Sequence, residues 1–371
     1  MITQQDISEV LAKYNKSEIT IATLGGHSAL DVCRGAKDQG FRTLVVAQRG
    51  RHEVYEKHYK TDGDRGCVDD VIVVDSFKDV TSEAVQKELL ARNSIFIHSR
   101  YFWVYCDYDQ VENTFLVPIF GNRILVKKEE RDEEKNQYYL LEKANIKLPK
   151  QFANYKDIDR LVIVKANEQE RSYERDFFLV DSPEEYESEM RKRLGDDFAS
   201  QSPVIEEFVL GPMINLNFFY SGVEKRLELM GTDIRRQTNI DGLLRLTAPE
   251  QEKVLKKVQP KYIENGHIAV TVKESLLSKI YELGEQFVEA VEGVYPPGMV
   301  GPFALQGAVT AGPPTEEIYI FDVSMRIPGS PGTASTPYSG YMHGESMSYG
   351  KRIAIEIKSA IDQNKLDQIV T

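Results

Sequence analysis

The sequence predicts an α/β domain followed by a larger α+β part, and three observations carry that reading. Over the first hundred residues short apolar runs alternate with helical stretches; a strongly charged segment then breaks the alternation; from residue 204 onward strand-like segments follow one another across turns. Alternation argues for a parallel sheet with helices on its faces, and successive strands argue for antiparallel pairing.

The elements follow in order. EITIATL reads as a strand and HSALDVCRGAKDQG as a helix closed by Gly40, after which FRTLVVAQ, VIVVD and SIFIH supply further strands and SEAVQKELLARN a helix. KKEERDEEKNQYYLLEKANIKLP reads as a charged helix with an apolar stripe through Tyr138, Leu141 and Ile146, stopped by Pro149. VIVKAN and DFFLV read as neighbouring strands joined by NEQERSYER, and Ser182-Pro183-Glu184-Glu185 as a helix start with a cap, a first-turn proline and acids at the positive dipole end. NLNFFYSGVEKRLELMGTD predicts a hairpin across Ser221-Gly222. A helix near 273–292 then leads to the strands FALQGAVT and EEIYIFDVSM, joined by AGPPT. IPGSPGTASTPYSGYMHGE is so rich in Gly, Pro and Ser that it is expected as a long site-lining loop, before a final helix near 346–362. The expected division is 1–121, 122–204 and 205–371.

Composition narrows the function. A chain of 371 residues, 41% hydrophobic and 28% charged, can bury a large core in more than one substructure. A formal net charge of −12 argues against nucleic-acid or anionic-membrane partners, which such a surface repels. The polar N-terminus is unlike a secretory leader, and no apolar run approaches the roughly 20 residues of a membrane span, so a cytoplasmic protein is expected. Cys33, Cys67 and Cys106 are odd in number and lack a CxxC pair, which predicts buried thiols without a disulfide or zinc role.

Two constellations carry chemistry. LGGHSALD joins a strand, a glycine turn and a helix start, the geometry in which a βα turn holds an anion. The third glycine of GxGxxG is missing and the next strand ends Ala47-Gln48-Arg49 without a ribose-binding acid; there is also no GK[ST]. His27 and Ser28 are left to hold a small phosphorylated or amide-bearing ligand, unless His27 only caps its helix. Farther on, Lys165 ends one strand and Glu206-Glu207 another, a cation and two acids suited to a nucleotide. Gln306 and Asp322 lie on adjacent strands where alternation aims both at one spot as oxygen ligands for Mg²⁺. The alternative is an ion pair of Asp322 with Arg326 or another base.

The order of these parts resembles the ATP-grasp superfamily, with a Rossmann-like first domain, a lid carrying a strand lysine and a module with metal-binding strands. More narrowly, EITIATLGGHSAL, GAKDQGF, QVENTFLVPIFGNR, LEKANIKLP, VIVKA, IEEFVLG, NIDGL, KESLL, PPGMVGPFALQ and GKRIAIEIKSAI occur in order from end to end. On these blocks the chain is identified as a member of the archaeal formate-dependent phosphoribosylaminoimidazole carboxamide ligase family. The resemblance implies an ATP-dependent ligase that converts formate to formyl phosphate and passes the formyl group to the amine of aminoimidazole carboxamide ribonucleotide, giving the formamido nucleotide, ADP and phosphate. It implies ATP as cosubstrate, Mg²⁺ (or Mn²⁺) as the metal and a homo-oligomer. By the same resemblance His27 and Asn239 contact the nucleotide substrate, with Ser28 beside them in the glycine turn. Lys165 and Glu207 contact ATP, Gln306 and Asp322 hold the metal, and Arg235 helps with the phosphate charge; Glu206, from its place on the strand, is expected beside the nucleotide, and Arg326, before the rebuilt loop, beside Arg235 in catalysis.

Four places depart from the family pattern. ANEQERSYER after Lys165 has no glycine where the family has a glycine-rich loop, and its acids Glu168, Glu170 and Glu174 stand beside Arg171 and Arg175. A Pro-His-Gly-Ser motif becomes His98-Ser99-Arg100-Tyr101, which puts Tyr101 at a substrate-binding position. A metal-strand glutamate becomes the shorter Asp322, and IPGSPGTASTP replaces the segment after Arg326. A ligase with a different acid and amine, or a non-catalytic binding subunit, stay open beside the family reaction.

Overall fold

The short apolar runs of the first hundred residues form one sheet. Thr20–Leu24 (β1), Arg42–Gln48 (β2), Asp70–Val74 (β3) and Ser94–Ile97 (β4) pair in parallel in the order β3-β2-β1-β4. β1 and β4 are buried at every position, which is why they read as unbroken apolar runs instead of alternating ones. This computed structural model describes residues 1–131, 133–165, 177–194, 203–237, 239–258, 263–312, 314–329 and 331–371. The segment 166–176, on which the glycine-free loop and its acids fall, lies outside the described residues, as does part of the AGPPT turn.

Two antiparallel sheets follow. Val162–Lys165 (β5), Phe177–Val180 (β6) and Val204–Glu207 (β7) form the small one, in the order β6-β5-β7. The division expected at 204/205 therefore falls inside β7, whose pairing carries Glu206 and Glu207 with the small sheet. Met213–Ser221 (β8), Arg226–Gln237 (β9), Glu264–Ala269 (β10), Gly301–Thr310 (β11) and Glu317–Ser324 (β12) form the large one, ordered β10-β9-β8-β11-β12. The β8–β9 hairpin closes where Lys225 adopts φ 54° and donates its N–H to Ser221 O at 2.9 Å.

Alternation along β8 sorts the two faces of this sheet. Ile214, Leu216 and Phe218 pack with Ile280, Phe287 and Val291 of the helix Leu277–Val294. Phe219, out of phase with them, joins Ile21, Ile95, Ile353 and Ile357 in a second core shared with the first domain. Asn215 and Asn217 have the phase of Phe219, so they sit on the face turned toward the N-terminal sheet. The C-terminal helix Tyr349–Asp362 and the helix Ala29–Asp38 touch backbone to backbone, since a Cβ on Gly35 would lie 2.1 Å from Gly350 C and one on Gly350 would lie 2.0 Å from Asp31 O. That close approach, with Gly350 N–H donating to Asp31 Oδ2 at 2.9 Å, fixes the glycine turn that precedes the helix.

Two expectations need correction. The charged helix is confined to Gln137–Lys143, because Asn136 accepts hydrogen bonds from the N–H groups of Tyr138 and Tyr139 and so caps it there, while Asn145 at φ 54° ends it. The Gly/Pro/Ser stretch is not a loose loop either. It contains a 3₁₀ turn at Pro331–Ser335 and a helix at Tyr338–His343, with Thr333, Thr336 and Ser339 buried. Small residues let it press on β9, where a Cβ on Gly231 would meet Thr336 Oγ1 at 2.5 Å; its hydroxyls bond internally, Thr336 to Thr333 O at 2.8 Å and Met347 N to Ser339 Oγ at 2.9 Å. All three cysteines are free and buried, and no helix of the described residues is long and apolar enough to cross a membrane.

Candidate functional site

The register of the large sheet assembles a polar row. Asp322 on β12 pairs with Gln306 on β11, Gln306 with Asn215 on β8, and Asn215 with Asp233 on β9. Four strands thus set four polar side chains side by side, because directly opposed residues share a face. Gln306 donates from its amide to Ser324 Oγ at 3.1 Å, which turns its carbonyl oxygen away from that contact. Asp322 does pair with a base, but the base is Arg235 at 3.9 Å. Arg326, buried, instead meets Glu129 at 3.5 Å and donates to Ile327 O at 3.2 Å. Burial lowers the Arg326 pKa, with Glu129 opposing it, and burial raises that of Glu129.

The small sheet brings Lys165 to the same place. Its ammonium contacts Glu206 and lies 5.3 Å from the centre of the Phe321 ring, the residue before Asp322. Tyr138 OH stands 3.3 Å from Glu206 Oε2. Burial pulls the Lys165 pKa down, and the neighbouring Glu206 and Asp322 charges pull the other way. Glu206 and Glu207 point to opposite faces of β7, as the two-residue period requires. Glu207 turns outward to Arg160 at 3.4 Å, so only Glu206 stands beside Lys165.

The glycine turn closes the site from the N-terminal domain. Ser28 takes the N-cap position at φ 64° without a side-chain cap, and its hydroxyl reaches His27 Nδ1 at 3.3 Å and Pro328 O at 3.4 Å. His27 therefore does not cap the helix. A Cβ on Gly329 would sit 2.7 Å from His27 Nε2 and 3.6 Å from His267 Nε2, so a side chain there would push His27 aside. Burial first, then Arg326, pushes the His27 pKa down to about 3, and the same causes act on His98. Tyr101 lies against the turn: a Cβ on Gly26 would meet its ring at 2.3 Å, and its centre is 6.0 Å from that of His27. Asn239, at φ 57°, is exposed beyond the end of β9 and begins the short helix Ile240–Leu243.

Sequence reading missed Asn215, Asn217, Asp233, Glu264 and His267. Asp233 is buried and accepts from Asn215 Nδ2 at 2.9 Å, Asn217 Nδ2 at 2.5 Å and His267 Nδ1. His267 Nε2 meets Glu264 Oε1 at 3.0 Å, and Glu264 Oε2 meets Arg235 Nε at 3.1 Å. Burial disfavours the His267 charge, yet its hydrogen bonds to the two carboxylates outweigh that and raise its pKa to about 9. The available signal was alternation: NLN in an otherwise apolar strand, and Asp233 and Arg235 two apart in the next.

Arg100, Arg131, Arg235 and Arg326 line a cavity together with the acids Glu129, Glu130 and Asp322. Four guanidinium groups and three carboxylates at one cavity give it donors for phosphate oxygens and acceptors for a cation. Among the described residues no three His, Cys, Asp or Glu side chains are grouped to hold a metal. Asp322 and Gln306 offer two neighbouring oxygen donors, a set that fits Mg²⁺ or Mn²⁺ where phosphate oxygens complete the shell.

Residues 21–152 match DUF1246, a protein family of unknown function, and residues 182–371 match DUF1297, a domain of unknown function. The chain is 38% identical to the 5-formaminoimidazole-4-carboxamide-1-(beta)-D-ribofuranosyl 5'-monophosphate synthetases of Methanopyrus kandleri and of Methanocaldococcus jannaschii, over 100% of each chain. In structure it resembles the IMP biosynthesis protein PurP of Thermococcus kodakaraensis, with TM-score 0.70 and 26% identity over 95% of this chain and 100% of that one. An N5-carboxyaminoimidazole ribonucleotide synthetase in complex with ADP shares the fold, with TM-score 0.57 and 12% identity over 89% of this chain and 78% of that one. The architecture is the ATP-grasp fold preceded by a Rossmann-like domain, as expected.

Proposed function

The chain belongs to the 5-formaminoimidazole-4-carboxamide ribonucleotide synthetase family, and on that premise we propose that it is an ATP-dependent, ADP-forming ligase joining formate to the amine of 5-aminoimidazole-4-carboxamide ribonucleotide. The observation that supports this reading is the approach of three substructures: Lys165, beside Glu206, lies 5.3 Å from the Phe321 ring centre, Asp322 pairs with Gln306 and stands 3.9 Å from Arg235, and His27 abuts Gly329 in the segment after Arg326.

Each group has a task. Lys165 and Glu206 hold ATP; when nucleotide phosphate enters, the Lys165 ammonium exchanges a carboxylate partner for a phosphate one. Asp322 and Gln306 would hold Mg²⁺ (or Mn²⁺), which supplies charge neutralisation on the transferring phosphoryl group. A formate oxygen attacks the γ-phosphorus, the bond to the β-phosphate oxygen breaks, and ADP leaves. Arg235 and Arg326 stabilise the charge on the acyl phosphate. The substrate amine then attacks the formyl carbon, phosphate departs and the nitrogen loses a proton. Neutral His27 with Ser28 and Asn239 orients the ribotide, and a buried, water-poor cleft protects the acyl phosphate. The reading includes a cytoplasmic location and self-association.

A second reading, a ligase for a different small acid or amine, is favoured by Tyr101, whose ring lies against Gly26 at the mouth of the ribotide pocket. One assay separates them. With MgATP, formate and the ribotide, purified protein should release ADP and form the formamido nucleotide in equal amounts. Silence with these substrates in Mg²⁺ and Mn²⁺, but ADP release in a panel of other acids and amines, would transfer support to the second reading; silence in both arms would remove the ligase.

A further inference from the structure

A buried anchor and an exposed strand end meet at one histidine. Asp233 lies on an inner strand, is 1% exposed, and has its carboxylate filled by Asn215, Asn217 and His267. Glu264 begins the edge strand β10, just before a bulge between Glu264 and Gly266, and its side chain is 34% exposed. An exposed carboxylate on a three-torsion side chain holds an arginine weakly, since such pairs contribute about 0–1 kcal/mol and lose side-chain entropy. His267 changes that: Nδ1 faces the immobile Asp233, and Nε2 faces Glu264 at 3.0 Å. With a carboxylate at each ring nitrogen, the imidazole donates from both. Arg235, the cross-strand partner of His267, lies 3.1 Å from Glu264 and only 3.9 Å from Asp322.

We propose that His267 is a positioning residue: anchored on Asp233, it fixes Glu264, and Glu264 in turn holds the Arg235 guanidinium at the distance from Asp322 that the transferring phosphoryl group requires. Without the link, Glu264 no longer sets the distance between Arg235 and Asp322 from this side. The proposal rests on the ligase reading, and it differs from a structural role, in which His267 only satisfies the buried Asp233 carboxylate.

Two isosteric substitutions separate these roles, because an Asn amide nitrogen occupies the place of Nδ1 and a Gln amide nitrogen that of Nε2. His267→Asn keeps the bond to Asp233 and loses Glu264; His267→Gln does the reverse. Positioning predicts that kcat falls on the order of tenfold to a hundredfold in H267N, less than deletion of a direct donor, and by no more than about threefold in H267Q, with KM for MgATP held within about twofold in both. The stability order should be the opposite, with H267Q unfolding at lower urea than H267N, since it takes one of three donors from the buried Asp233 carboxylate. Glu264→Gln, on an exposed strand end that folding does not need, should lower kcat like H267N, and the double variant should lose no more than either single. Equal kcat in H267N and wild type, or wild-type kcat in E264Q, would overturn the proposal. Should the wild type release no ADP with formate and the ribotide, the ligase reading fails by itself; crystal structures of the two His267 variants still decide the positioning, which requires the Arg235–Glu264 contact to survive in H267Q and to be lost in H267N, and which is refuted if it survives in both.

Discussion

The hairpin β8–β9 carries two charge networks on one face, and they have opposite designs. Toward the hairpin turn, Glu228 accepts from Arg352 Nε at 2.7 Å and Nη2 at 3.0 Å and from Arg226 at 3.1 Å, and Glu356 accepts from Ser221 Oγ, Val223 N and Arg352 Nη1 at 2.9–3.0 Å. The C-terminal helix seals this end, and Glu228, Arg352 and Glu356 are all buried. At the other end the chain of charges runs Asp233, His267, Glu264, Arg235, Asp322 and opens toward the cleft. The closed network balances its charges internally and gives the fold a rigid joint. The open one reaches the cavity lined by Arg235 and Asp322, which stand 3.9 Å apart. Charge burial alone does not mark a functional site; charges that line a cavity do.

Breaking each network should therefore produce different losses. The largest effect belongs to the open end: Asp322→Asn should lower ADP release about 10³-fold, the scale of removing an electrostatic stabiliser of the transition state, while the urea midpoint barely moves because Asp322 is partly exposed. At the closed end, Arg352→Met leaves Glu356 without a cation and Glu228 with only Arg226 and His343 among the described residues, and should cost about 3 kcal/mol in equilibrium unfolding, with activity per folded molecule unchanged. Loss of activity in the refolded Arg352→Met protein would break the contrast. A smaller effect is expected at Gly329: Ala there meets His27 Nε2 at 2.7 Å and should raise KM for the ribotide about tenfold, or about 1.4 kcal/mol, and leave KM for MgATP alone.

The pH dependence of stability sharpens the contrast further. His27 and His98 titrate near 3 in the folded protein and near 6.5 when unfolded. Between those values the unfolded chain binds more protons, so their stability is present above about pH 6.5 and lost as pH falls toward 3, at up to about 1.4 kcal/mol per pH unit for each. His267 has the opposite sign. Its folded value is about 9, so its stabilisation is complete below about pH 6.5 and is lost as pH rises through 9. Urea midpoints between pH 4 and pH 10 should show both limbs, and H267Q should flatten the alkaline limb alone. An unchanged alkaline limb in H267Q would place its cause elsewhere.

Much of this was legible in advance at the level of strands. Apolar runs located β1, β2 and β4, a cap and a proline located the helix Pro183–Leu194, and Ser221-Gly222 located the hairpin. Gln306 and Asp322 were expected on adjacent strands, and the register pairs them. Two readings failed for instructive reasons. The charged segment before Gln137 has helical composition, yet Asn136 takes the N–H groups that would continue a helix backward. The Gly/Pro/Ser stretch looked unfit for packing because composition was read as chain freedom, whereas small residues are what a segment pressed against Gly231 needs.

Residue periodicity and turn chemistry are local properties, and the sequence by itself determined them: which residues form strands, which side chains share a strand face, and where the glycine turn must lie. Only the tertiary structure decided the pairing of charges. His267 meets Asp233 because β10 adds to the edge of β9, Arg235 chooses Glu264 and Asp322, and Arg326 turns to Glu129. The physical reason is that electrostatic and hydrogen-bond energies depend on separation in space and on burial, and neither is set by distance along the chain.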